Sequence, residues 1–248
     1  MIRRAALLLA AAVALPGCGS LVPEPPAEPP ERAGPPVLPD APAARGIAHV
    51  EVPALSRDGY RRRAERLTVR VRNLSCEGVG TGSGFAVDAS TLITNRHVVA
   101  GADLLEVNTS DGRTLEVSAA EVAVLGDVAV VHVAGSLPVA ADLGGRAPPG
   151  SEVAAVGFPL GGPITITRGV LVDQVDGRPF GIDGPVARIT AEVRPGDSGG
   201  PLLDGRGRVA GVVFAVEIAT GLGLAIPTDT VLSLLRRGGT TAVPPCDS

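Results

Sequence analysis

The chain is expected to fold as an all-β protein, and three features of its sequence carry that expectation. Short valine-rich runs lie between glycines, the pattern of β-branched strands separated by turns. Gly 33 and Pro 23 supply those turns. Aromatics make up only 2% of the 248 residues and Trp is absent, so the core must be assembled from Val, Ala, Leu and Ile. A hydrophobic content of 45% over this length allows one larger domain or two small ones. The net charge of −4 does not invite nucleic acid.

Residues 1–18 combine a basic start, Arg3-Arg4, with an apolar run from Ala5 to Leu15 and the sequence Leu15-Pro16-Gly17-Cys18. That run is too short to span a bilayer, and the pattern reads as a secretory signal peptide. Its end resembles a bacterial lipobox, which implies that Cys18 is alkylated with diacylglycerol and anchors the chain to the cell membrane on its extracytoplasmic side. Pro16 departs from the usual small residue there, and a plain cleaved signal with a spare thiol is the alternative. Residues 19–56 are rich in Pro, Ala and Glu. Such a segment buries too little to fold and favours extended polyproline II, a tether reaching up to about 100 Å.

The globular domain is expected over residues 57–248. Arg57–Arg66 reads as a short helix or an approach strand, and Leu67, Val69 and Val71 then alternate with Thr68, Arg70 and Arg72 as in a half-buried strand. Hairpin turns are expected at Ser110-Asp111-Gly112-Arg113 and at Asp204-Gly205-Arg206-Gly207. The Gly/Ala/Pro-rich stretch from Leu137 to Pro149 reads as a crossover. Later strands are expected at Val153–Pro159, Ile164–Val175, Val186–Val193 and Val209–Val216. Thr228-Asp229 offers a cap for a last helix in which Val231, Leu232, Leu234 and Leu235 keep helical spacing.

Chemistry is concentrated in three stretches. In Gly196-Asp197-Ser198-Gly199-Gly200-Pro201, glycines on both sides let the chain lift a hydroxyl into a cleft and aim amide N–H groups beside it. The bland alternative is a surface turn with Asp and Ser as turn formers. His97 follows an apolar run, Leu92-Ile93, and by itself would more often be structural. Asp127 opens the apolar run Val128–Val131, where a carboxylate must find a partner or stay at the rim. Asp103 and Asp111 compete less well because both sit in glycine-containing turns. His132, five positions past Asp127, points to the opposite strand face and reads as structural. The three histidines are not paired at metal-ligand spacing, so neither a metal nor a cofactor is expected.

The hexapeptide around Ser198 resembles the nucleophile loop of the trypsin/chymotrypsin clan of serine endopeptidases. Gly82-Ser83-Gly84-Phe85 with Thr94-Asn95-Arg96-His97-Val98-Val99, and Gly157-Phe158-Pro159 through Thr167-Arg168-Gly169-Val170, resemble its bacterial HtrA/Deg-type branch. The resemblance covers roughly residues 67–236. It implies two six-stranded antiparallel barrels of chymotrypsin-like type with a short C-terminal helix: an N-terminal barrel over about 67–136, a C-terminal barrel over about 150–227, and the helix at about 228–237. It implies a catalytic triad of His97, Asp127 and Ser198, in the chain order that belongs to this clan, and an oxyanion hole from the N–H groups of Gly196 and Ser198. By position, Glu192 lies near the floor of the primary specificity pocket, where it would favour Arg at the cleavage site or else point to solvent; small aliphatic residues are the alternative preference. Phe214, Ala215 and Val216 resemble the strand that pairs with substrate backbone.

Two departures stand out. The sequence leaves no room after the second barrel for the PDZ domain that this branch generally carries, and the residue before the nucleophile is Asp197 where the branch usually has Asn. If Cys18 is lipidated, Cys76 and Cys246 remain as one disulfide pair outside the reducing cytosol, with free thiols as the alternative. The expected activity is hydrolysis of protein or peptide substrates by a membrane-tethered serine endopeptidase. A catalytically silent barrel acting as an envelope binding module or chaperone is the competing expectation, and the oligomeric state is not legible.

Overall fold

The computed structural model describes residues 56–145 and 147–243. The expected signal peptide with Cys18, the tether as far as residue 55, and Cys246 lie outside the described residues. Among the described residues, no helix is long and apolar enough to cross a membrane.

The segment that read as helix or strand is helix α1, Arg57–Leu67. Ser56 caps it by accepting the Gly59 N–H at 3.1 Å, and Tyr60, Ala64 and Leu67 form one buried stripe at helical spacing. Thr68 stops it with extended backbone, while its hydroxyl donates to the Ala64 carbonyl at 2.8 Å.

The first barrel follows directly. Its strands are β1 Thr68–Ser75, β2 Gly78–Ala86, β3 Thr91–Thr94, β4 Ala102–Asn108, β5 Thr114–Ala123 and β6 Ala129–Ala134, with a single helical turn, α2 Arg96–Val99, between β3 and β4. They pair antiparallel in the order β5-β4-β1-β2-β3-β6, and the pairing of β5 with β6 closes the barrel. Val69 and Val71 on β1, Leu92 on β3, Val107 on β4 and Val131 on β6 point inward as alternation requires, and each is fully buried.

The second barrel is built from β7 Glu152–Gly157, β8 Thr165–Asp176, β9 Pro185–Ile189, β10 Pro201–Asp204, β11 Val209–Val216 and β12 Gly223–Pro227. It closes in the order β10-β11-β12-β9-β8-β7, so the expected pair of six-stranded antiparallel barrels is present. Small side chains fill its interior: Ala155, Ala187, Ala191 and Ala225 pack with Leu171, Ile189, Leu202 and Val213.

Two boundaries differ from expectation. Strand β9 ends at Ile189 and does not reach Val193, because Thr190 ties off the ladder: its N–H donates to the Val170 carbonyl and its hydroxyl accepts the Val170 N–H. Residues 191–193 are thereby released from the sheet beside the nucleophile loop. The last helix, α3 Thr228–Gly238, has no side-chain cap, since Pro227 holds the cap position. Thr228 is already helical, and its hydroxyl donates instead to the Val209 carbonyl at 3.0 Å. Past α3 the chain adds a short strand, β13 Thr240–Ala242, which pairs with the end of β5.

Candidate active site

His97 and Asp127 meet where β3 and β6 lie side by side. Strand β3 ends at Thr94, and α2 turns the chain so that His97 stands on it facing the start of β6. Asp127 lies two residues before that strand. Its Oδ2 is 2.7 Å from His97 Nδ1, and its Oδ1 accepts the His97 backbone N–H at 2.9 Å. One carboxylate therefore fixes both the ring and the main chain of one residue. Asn95 secures the other side of the pair by donating from Nδ2 to the Asp127 carbonyl at 2.7 Å. The rival acids are engaged elsewhere: Asp111 bonds Thr109 and Arg113, which hold its carboxyl down at about 2, and Asp103 lies against Cys76. His132 faces Thr91 across the β3–β6 ladder.

Ser198 sits in the loop that leads into β10, pinned through its backbone. Its carbonyl accepts the Ser83 N–H at 2.8 Å, and the Gly199 N–H donates to Val213 at 2.8 Å. A side chain on Gly82 would clash with Val98, next to His97, and would lie 3.2 Å from the Ser198 carbonyl oxygen. That glycine thus allows α2 and the nucleophile loop to close on the same stretch of β2. The Ser198 hydroxyl itself donates to the Phe214 carbonyl at 3.3 Å, and no hydrogen bond joins it to His97 among the described residues.

The turn before Ser198 closes through an Asp197 N–H bond to the Arg194 carbonyl at 3.0 Å. Gly196 takes φ +99° within it, and a Cβ there would collide with the Phe158 carbonyl oxygen, so the position admits only glycine. The Pro195 carbonyl accepts the Leu160 N–H at 2.7 Å, and in a trans peptide the Gly196 N–H must point the opposite way. Among the described residues, the N–H groups of Gly196 and Ser198 make no hydrogen bond. They form the pair of donors that an oxyanion would require.

Asp197 is buried, and its Oδ2 accepts the Arg194 N–H at 2.9 Å. Burial pushes its carboxyl above the usual range against the pull of that bond and of the Arg194 charge. Ser83 completes the support: its buried hydroxyl donates to the Gly196 carbonyl at 2.7 Å and accepts the Phe158 N–H at 3.0 Å. Sequence reasoning quoted Ser83 within Gly82-Ser83-Gly84-Phe85 but gave it no role, since it lies 113 positions from Gly196 and is linked to it only by the packing of the two barrels.

Of the two directions open to Glu192, the structure takes the solvent one. The carboxylate is exposed and pairs with Arg194 at 2.8 Å. The nearby wall is apolar: a Cβ on Gly223 would fall 2.7 Å from Val193 Cγ2, 2.9 Å from Ile189 Cγ1 and 3.0 Å from the Ala191 carbonyl. Phe214, Ala215 and Val216 lie at the end of β11; Ala215 and Val216 remain paired with β12, Phe214 falls at a register shift in that ladder, and the ladder to β10 stops at Val212. Among the described residues, one edge of this segment is therefore without a strand neighbour on the β10 side.

A chymotrypsin-like double barrel with a half-exposed acid–imidazole pair and a glycine-framed serine defines a serine-protease architecture. The chain belongs to the trypsin-like peptidase domain family, whose model matches residues 82–212. It is 41% identical over 162 residues to the putative serine protease HhoB of Synechocystis sp., an alignment covering 61% of this chain and 38% of that protein. It is 31% identical over 200 residues to the serine protease Rv3671c of Mycobacterium tuberculosis, covering 76% of this chain and 50% of that one. The chain spans half or less of the length of the curated relatives it matches. Among solved structures, the active form of the Rv3671c protease superposes with a TM-score of 0.66 at 31% identity, covering 79% of this chain and 89% of that one. The inactive form gives 0.64 at 30% identity, covering 75% and 96%.

Proposed function

We propose that this chain is a serine endopeptidase in which Ser198 is the nucleophile, His97 the general base and Asp127 the orienting acid. The observation that carries the reading is the pair of hydrogen bonds that one carboxylate accepts from the imidazole and the main chain of His97. With Nδ1–H held on Asp127, the lone pair lies on Nε2, free to receive the Ser198 proton. To reach that nitrogen the hydroxyl must leave the Phe214 carbonyl, and the 3.3 Å bond it gives up is a weak one. Oγ then adds to the scissile carbonyl carbon, and the oxyanion is received by the Gly196 and Ser198 N–H groups. Imidazolium returns the proton to the departing amine as the C–N bond breaks, and water releases the acyl group from Ser198 by the same steps.

Substrate enters as a strand along the open edge of Phe214–Val216. The wall of Ile189, Ala191 and Val193 across from Gly223 favours a small aliphatic side chain at the cleavage site, and Glu192 supplies no buried carboxylate for an arginine. We further propose that the protein is lipid-anchored through Cys18 and held away from the envelope membrane by residues 19–56, as the lipobox-like end and the Pro-rich composition support. Pairing of Cys76 with Cys246 is supported by the cysteine count, since these two remain once Cys18 is lipidated outside the reducing cytosol.

A second reading, a silent barrel that binds unfolded chains without cutting them, is favoured by one observation, the turning of the Ser198 hydroxyl toward Phe214. Incubation of the purified protein with reduced, unfolded casein separates the two. Cleavage after Val, Ala or Ile, abolished by Ser198→Ala, is the expected result. Casein bound but left intact by a folded wild-type protein would establish the binder.

A further inference from the structure

Alternation along β1 points Val69, Val71 and Asn73 into the first barrel, where Asn73 is 7% exposed. An amide thus stands where the pattern calls for an apolar side chain. A buried polar group costs stability wherever one of its atoms goes unpaired, and the Oδ1 of Asn73 has no hydrogen-bond partner among the described residues. Packing therefore gives no reason for an asparagine here, and a break with local preference of this kind is expected where function needs it.

The amide nitrogen supplies the reason. Its two protons go to the Val98 carbonyl at 3.0 Å and the Ala100 carbonyl at 2.9 Å, the acceptors one and three positions after His97. Carbonyls at a helix end have no partner within the helix. Helix α2 is only four residues long, and a single turn makes too few hydrogen bonds of its own to hold its shape. The His97 side chain is half exposed, so packing does not hold the ring either. Asn95 fastens the start of the same turn, with Nδ2 on the Asp127 carbonyl and, as in Asn73, a buried Oδ1 without a partner among the described residues. Two buried amides therefore grip the chain on either side of His97, each committing its NH₂ group to main-chain carbonyls and leaving its oxygen unpaired.

From this we infer that Asn73 is a positioning residue for the reaction: by holding the far end of α2 it keeps His97 where both oxygens of Asp127 can reach it. The inference rests on the reading of His97 as general base. Asn73 lies on β1 of the first barrel and the proposed substrate strand, Phe214–Val216, on β11 of the second. Its loss should accordingly slow the chemistry and leave substrate binding in place.

The test is Asn73→Leu, which is nearly isosteric, continues the apolar row and carries no donor. On a fluorogenic peptide, kcat is expected to fall about 10- to 100-fold, the effect of a small displacement of a catalytic group, with KM within about twofold of wild type. Phosphorylation of Ser198 by diisopropyl fluorophosphate, which needs the imidazole and no peptide-binding edge, is expected to slow by the same factor. In a proton NMR spectrum the wild type should show the Nδ1 proton held on Asp127 downfield of the amide protons, and the variant should lose that signal by exchange with water. If the leucine variant fails to fold by circular dichroism, Asn73→Ala, which removes the donors without adding an apolar branch, is measured in the same way. A folded variant with wild-type kcat and labelling rate, or one whose loss lies in KM alone, would overturn the proposal. A wild-type protein without Ser198-dependent turnover would overturn the functional reading and this inference with it.

Discussion

Replacing Asp127 by Asn probes the proposed triad at the point where its geometry makes the sharpest demand. Both carboxylate oxygens face His97, one on the backbone N–H at 2.9 Å and one on Nδ1 at 2.7 Å. An amide has one accepting end and one donating end. Because the backbone N–H can only donate, the amide oxygen must stay on it, and the NH₂ group is turned toward Nδ1. Nδ1 then accepts, the ring proton moves to Nε2, and the nitrogen that should take the Ser198 proton is occupied. The reversed amide would leave that N–H facing a donor, at a cost of about 1–3 kcal/mol, so the wrong tautomer is the one retained. The equivalent change in a Ser-His-Asp triad costs about 10⁴ in turnover, or about 5.5 kcal/mol in the barrier. The assay is kcat on a fluorogenic peptide at pH 8, with circular dichroism and thermal melting showing that the variant folds. A folded variant that loses less than tenfold would remove Asp127 from the mechanism.

Asp197→Asn keeps an acceptor for the Arg194 N–H and removes a buried charge. Because burial raises the folded-state pKa of Asp197 above the ordinary 3.8, the folded chain holds this proton more tightly than the unfolded one. The stability contributed by the protonated form is complete at low pH and is lost as pH rises through the folded-state value. The variant should therefore melt above the wild type at pH 7 and lose its advantage below about pH 4. Equal melting temperatures at pH 7 would mean that the carboxylate is better compensated than its surroundings indicate. A Cys76–Cys246 bond closes a loop of about 170 residues, nominally worth about 5 kcal/mol. Reductant should lower the melting temperature of the wild type and leave a Cys76→Ala/Cys246→Ala double variant unmoved; an unresponsive wild type would refute the pairing.

Much of the fold was legible because alternation is a local signal: Leu67, Val69 and Val71 declare their face within five residues, and each is buried. Strand position showed only that Asp127 needs a partner or the rim; its proposed role as the acid came from the resemblance to the clan. The helix cap at Thr228 misled because a hydroxyl that can cap a helix can as readily bond a strand, and Val209 was within its reach. The direction of Glu192 depends on Arg194 two positions on, and either outcome fits the sequence equally. Least legible were contacts between barrels. Nothing in Gly-Phe-Pro-Leu-Gly-Gly marks Leu160 as the residue that takes a positive φ, 55°, because its backbone partner, the Pro195 carbonyl, lies on a loop whose path is set by the second barrel as a whole.

The central claim is that an imidazole on one barrel activates an alcohol on the other. Treating the full-length protein with diisopropyl fluorophosphate and mapping the adduct by mass spectrometry tests it most directly. The account predicts one phosphoryl group, on Ser198, forming at least a hundredfold more slowly in His97→Ala, in line with the contribution of general-base catalysis. A folded wild type that takes up no label, or a His97→Ala variant labelled at the wild-type rate, would contradict it.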